Sequence, residues 1–84
     1  MAHASNFTPY EATISTATTL TLDRPAREIE IINDSGTAYL QFKFNASESY
    51  GKLLPLEVIS IATRANTIYL NPEASLSYRI RVWS

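Results

Sequence analysis

Between Arg27 and Asn45 the chain reads REIEIINDSGTAYLQFKFN, alternating polar and apolar on both sides of Asn33-Asp34-Ser35-Gly36. A period of two sends successive side chains to opposite faces of an extended strand. Ile29 and Ile31 then face inward, and Glu28 and Glu30 outward. On the return, Ala38, Leu40, Phe42 and Phe44 share one face, and Tyr39, Gln41 and Lys43 the other. The pattern recurs at Leu76 to Trp83, where Leu76, Tyr78, Ile80 and Val82 oppose Ser77, Arg79, Arg81 and Trp83. Antiparallel pairing with one wet face is what such alternation permits.

The remaining segments fit the same period. Ala12 to Leu22 is rich in threonine, with Ile14, Thr18, Leu20 and Leu22 on one parity. Asp23-Arg24-Pro25-Ala26 reads as a turn or short crossover, and Gly36 is expected to supply a positive φ to the next turn. Leu53 to Ala62 carries a conflict of parity. Leu54, Leu56 and Val58 share one face, Ile59 and Ile61 the other, so either both faces are buried or a bulge near Val58–Ile59 resets the register. Thr63-Arg64-Ala65 reads as a turn and Asn66 to Leu70 as a short strand. The expected fold is all-β: a small antiparallel β-sandwich or jelly-roll-like barrel of six or seven short strands. It would occupy residues 12–84, behind an extended N-terminal arm over residues 1–11. Phe7 and Tyr10 would anchor that arm, on a neighbouring chain in preference to the chain's own sheet.

Composition narrows the functions. The chain has 84 residues, with 45% hydrophobic, 18% charged and a net charge of −1. That is one domain's length, with a weakly charged surface and no electrostatic footprint for nucleic acid or an anionic bilayer. No apolar run approaches the length of a spanning helix, and the first residues lack the pattern of a secretory signal. Three sequons, at Asn6, Asn33 and Asn45, therefore read as accidental. The absence of cysteine removes disulfides and thiolate chemistry.

No catalytic, cofactor-binding or metal-ligating residues are identified. The one histidine, His3, lies in the arm. Glu28 and Glu30 stand roughly 6.5–7 Å apart along a strand, a spacing compatible with glycoside hydrolysis. They share that spacing with Arg79 and Arg81, however, and two surface charge ladders paired across strands or subunits are the simpler reading. Glycines number two, too few for a phosphate-cradling or dinucleotide loop.

The outward rings carry more information. Tyr39, Tyr69 and Trp83 fall at outer positions, and Tyr10 and Tyr50 in arm and loop. Large rings on a small surface mark a partner interface, because they bury much area at low entropic cost; for Tyr69 and Trp83 the other reading is a place on the second face of the sandwich. Phe7, Tyr10, Tyr39, Tyr69, Arg79, Arg81 and Trp83 are the candidate interface residues. A sugar-stacking platform in a carbohydrate-binding module is the alternative use of such rings.

The order of features resembles that of small tail-phage virion proteins, above all capsid decoration (cement) proteins. An arm is followed by TATTLTLDRPAREIEIINDSGTAYLQFKFN, then LLPLEVISI, NTIYLNP and a terminal SYRIRVWS. The resemblance runs from about Thr16 onward. It implies a non-enzymatic β-sandwich or β-barrel, often trimeric, clamping the major capsid protein or other virion subunits on the capsid surface after synthesis in the host cytoplasm. A tail, baseplate or connector component would share these features. The resemblance implies no cofactor, nucleic acid or membrane.

Overall fold

The computed structural model describes residues 7–84. Among these described residues six strands form one antiparallel sheet: β1 (Phe7–Ile14), β2 (Thr18–Asn33), β3 (Leu40–Lys43), β4 (Gly51–Leu53), β5 (Val58–Pro72) and β6 (Leu76–Trp83), in the order β1-β6-β2-β5-β3-β4. Its spine is the long ribbon of β2 and β5. The second part of β2, Glu28 to Ile32, pairs with Val58 to Ala62, and on its other side with β6, which in turn carries β1. The first part of β2, Thr18 to Thr21, pairs with Thr67 to Leu70, next to β3 and β4. Register shifts between Thr21 and Ala26, and between Ala26 and Glu28, separate the two halves. Such bulges bend a strand and let it pass from one layer to the next.

Both halves feed one buried cluster. Ile29, Ile31 and Ile80 enter from one side and Leu40, Ile68 and Leu70 from the other, all fully buried. The inward parities read from Arg27–Asn33, Thr37–Asn45 and Leu76–Trp83 supply most of it.

Four local expectations are corrected. Asp23-Arg24-Pro25-Ala26 and Thr63-Arg64-Ala65 are not turns; they lie within β2 and β5, strands of 16 and 15 residues. Long-range pairing absorbs them as a bulged stretch, where Pro25 need not supply a ladder N–H. The parity conflict at Leu53–Ala62 comes from neither a bulge nor two buried faces. β4 ends at Leu53, β5 begins at Val58, and between them Glu57 N donates to Leu54 O at 3.0 Å, closing a four-residue turn. Phe7 to Glu11, expected as arm docking on a neighbour, is the start of β1. It pairs with β6 of the same chain, from Phe7 opposite Trp83 to Ile14 opposite Leu76. Thr8, Tyr10, Ala12 and Ile14 face the inward row of β6, which is the alternation that draws this segment onto the sheet. The rest of the expected arm, with His3 and the first sequon's Asn6, lies outside the described residues.

The turn after β2 is closed by side chains. Ser35 N donates to Asn33 Oδ1 at 2.9 Å, and Ala38 N to Ser35 Oγ at 3.0 Å. Gly36 therefore does not take the positive φ expected of it; among the described residues that backbone state belongs to Leu56, at φ 64°.

Candidate functional site

The β1-β6-β2-β5 half turns a four-strand outer face to solvent. Its rows follow from the register. Phe7, Trp83, Glu28 and Ala62 form one; Pro9, Arg81, Glu30 and Ser60 the next; Glu11, Arg79, Ile32 and Val58 the third. Trp83 and Phe7 meet with ring centroids 5.3 Å apart, tilted by 46°. Arg81 Nη1 donates to Glu30 Oε1 at 2.6 Å. This is the charge ladder read from the sequence, paired across strands within one chain. The other rung differs, because Arg79 stands opposite Ile32 and reaches past the strand end. It grips Asp34 with two bonds, Nε to Oδ2 at 2.8 Å and Nη2 to Oδ1 at 2.9 Å. Those hydrogen bonds hold the Asp34 carboxyl below its ordinary pKa and raise that of Arg79. Glu30 is thus tied to a cation, whereas Glu28, opposite Trp83, is exposed.

The β2-β5-β3-β4 half shows a different outer face. Lys43 stands opposite Tyr69, and Gln41 opposite both Lys52 and Asn71. Lys43 Nζ lies 4.5 Å from the Tyr50 ring centroid and 5.6 Å from that of Tyr69, and Lys52 Nζ lies 4.5 Å from that of Tyr39. Asn71 Nδ2 donates to Gln41 Oε1 at 2.9 Å. The result is a surface of three phenol rings, two ammonium groups and an amide pair. Each cation–π contact contributes about 0.5–1 kcal/mol at an exposed site and holds its ring in a fixed pose.

The seven candidate residues therefore fall into separate places. Phe7, Trp83, Arg79 and Arg81 share one outer face; Tyr39 and Tyr69 share the other. Tyr10 belongs to neither: it faces inward, half-buried against the core, and is withdrawn as an outward anchor. Sequence reasoning missed Lys43, Lys52, Gln41 and Asn71 as companions of the tyrosines, because their grouping depends on which strands pair across long loops.

It also missed an apolar tip. Leu54, Leu56 and Val58 are exposed by 50%, 68% and 55%. Pro55 and Leu56 occupy the central positions of the turn, where a type II geometry favours Pro and then Gly. A leucine at that second position departs from turn chemistry, and this was the signal available in the sequence. The positive φ costs Leu56 roughly 1–2 kcal/mol. Neighbouring bonds hold it there: Leu54 N donates to Glu57 Oε1 at 2.7 Å, and Leu56 N to Ser35 O at 3.0 Å.

Shallow clefts lie at the margins. One of about 270 Å³ is lined by Phe7, Tyr10, Asp23, Arg24 and Ser84, among others, and another of about 520 Å³ by Phe42, Phe44, Ile61 and Thr63. Among the described residues, no three His, Cys, Asp or Glu side chains come together as a metal-ligand group. Among the described residues, no helix is long and apolar enough to cross a membrane.

No family model matches the chain, and no curated protein matches it. Solved structures do. A cupin superfamily protein from Desulfitobacterium hafniense superposes with a TM-score of 0.66 at 7% identity, covering 99% of this chain and 72% of that one. Ethanolamine utilization protein Q from Salmonella typhimurium gives a TM-score of 0.65 at 12% identity, covering 94% of this chain; the chain spans 58% of that protein's length. The Cupin_2 domain of an XRE family transcriptional regulator from Enterobacter cloacae gives 0.62 at 18% identity, covering 90% of this chain and 79% of that one. At these identities the likeness is one of fold, and the chain is an antiparallel, cupin-like jelly roll.

Proposed function

We propose that this chain is a non-enzymatic structural protein of a virion, and that it decorates the capsid surface by binding the major capsid protein. The observation that carries the reading is the placement of its rings. The core is complete without Phe7, Trp83, Tyr39, Tyr50 or Tyr69, which stand outside it on two faces. Rings presented outward and braced by lysines or by one another suit a protein that holds others together. The jelly roll is an architecture that capsid proteins share with lectins and cupins. Many copies on a lattice would add weak contacts through avidity.

The test is mass spectrometry of purified particles of the virus whose genome encodes the chain. Recovery with the capsid shells, after heads and tails are separated, supports decoration. Recovery with the tails moves the same structural role to tail, baseplate or connector. Absence from particles overturns the reading.

A second reading rests on the tyrosine face. Tyr39 and Tyr69, with Gln41 and Asn71 close by, offer rings and amides of the kind that stack on and bond to sugars. A carbohydrate-binding module would give saturable glycan-array signals that Tyr69→Ala abolishes. Signals no greater than those of an unrelated β-protein dismiss it.

A further inference from the structure

The first part of β5, Val58 to Thr63, has β2 on one side, and among the described residues no backbone partner takes the other. β3 meets β5 only from Tyr69 to Pro72. An open strand edge is a row of unpaired N–H and C=O groups, and folded proteins usually blunt it with charge, proline or a bulge. Two other margins carry such devices. β1 holds Pro9 and Glu11, and β4 is three residues long with Lys52 at its centre. The first part of β2, Thr18 to Thr21, is also open and without charge or proline, but it does not border the exposed apolar tip of Leu54, Leu56 and Val58. Val58 to Thr63, VISIAT, has neither charge nor proline, and its ladder with β2 is regular from Val58 to Ala62.

Two further features single out this edge. The exposed apolar tip lies at its start, with Leu56 fixed in the left-handed conformation by the bonds around it. The segment also ends in opposite charges, Glu57 before it and Arg64 after it. Antiparallel pairing of the segment with itself brings the Glu57 end of one copy to the Arg64 end of the other, twice per interface. The apolar stem of Arg64 then covers the exposed Val58.

We infer that a second copy of this chain adds to the edge at Val58–Thr63, antiparallel about a two-fold axis. The β1-β6-β2-β5 layers of both copies then form one continuous sheet. Self-pairing of a single edge is isologous and closes at two subunits. It therefore favours a dimer over the trimer implied by the resemblance to decoration proteins. The inference concerns the chain alone and stands whatever particle the protein is found on.

Light scattering on size-exclusion eluates of the full chain tests it. The expected mass is twice the 9.4 kDa of one chain. Ser60→Lys with Ala62→Lys places like charges across the axis and should raise the dissociation constant about tenfold or more. Arg64→Glu should weaken the dimer as well, and Thr19→Lys, on the other open edge, should leave it unchanged. Hydrogen exchange of the wild type should show protection at Val58–Thr63 that rises with concentration, a readout that needs no variant to fold. A monomer or trimer at the highest soluble concentration overturns the inference. So does exchange at these amides that is independent of concentration.

Discussion

Asn33 donates from Nδ2 to the carbonyl of Ala38 at 2.8 Å, inside the protein and out of reach of water. The same amide group faces Leu53 O at 3.3 Å and Leu54 O at 3.2 Å. One polar side chain thus ties the end of β2 to the approach to β3 and to the turn that carries Leu56. Asn33→Ala leaves buried carbonyls without a donor and should cost about 1–3 kcal/mol. Urea unfolding should show the midpoint falling with the slope unchanged.

Leu56 gives the opposite sign. Glycine takes a positive φ without strain, so Leu56→Gly should stabilise the fold by about 1 kcal/mol. The same change removes an exposed apolar contact and should weaken self-association. Thermal melting and light scattering on one sample should move in contrary directions. A gain in stability without any loss of association would show that the tip is not part of the interface.

Acid should act through Asp34. Hydrogen bonding from Arg79 lowers its pKa, so its contribution is present above the ordinary value of 3.8 and is lost as pH falls through the depressed folded value. Alkali should act through Tyr78, whose phenol burial pushes up from 10.0. There the unfolded chain gives up its proton first, so stability is full below about pH 10 and declines as pH rises beyond it. Denaturant midpoints across pH should show both shoulders. Asp34→Asn should flatten the acid side and Tyr78→Phe the alkaline side.

Removing residues 1–10 should lower the melting temperature. The truncation takes away Phe7 to Tyr10 of β1, with Tyr10's contact to the core and Phe7's packing on Trp83. An unchanged melt would show that β1 is a loosely held segment, as an arm reaching for a neighbour would be.

Much of the fold could be read from period-two alternation, because burial imposes it strand by strand. β6 follows its expected inward and outward rows from Leu76 to Trp83 without exception. What could not be read depends on pairing between distant segments. Pro25 looks like the end of a strand when only its neighbours are considered; β5 opposite turns it into the middle of a long bent one. Tyr10 looks like an anchor for a partner when only its neighbours are considered, because nothing local shows Ile80 waiting opposite. The site was half legible. Trp83 and the arginines could be placed on an outer face from their parity, and Tyr39 and Tyr69 as well. The lysines that brace those tyrosines, and the apolar tip beside the open edge, emerge only once the strands are arranged.

The central claim is that the outward rings dock this protein onto other subunits. Under the proposed virion role, co-sedimentation of the purified chain with emptied capsid shells tests it most directly. The account predicts saturable binding at a fixed number of copies per lattice site, and loss of that binding in a folded Tyr39→Ser, Tyr69→Ser, Trp83→Ser triple variant. Shells that leave the wild-type chain in the supernatant, or bind the triple variant equally well, would contradict it.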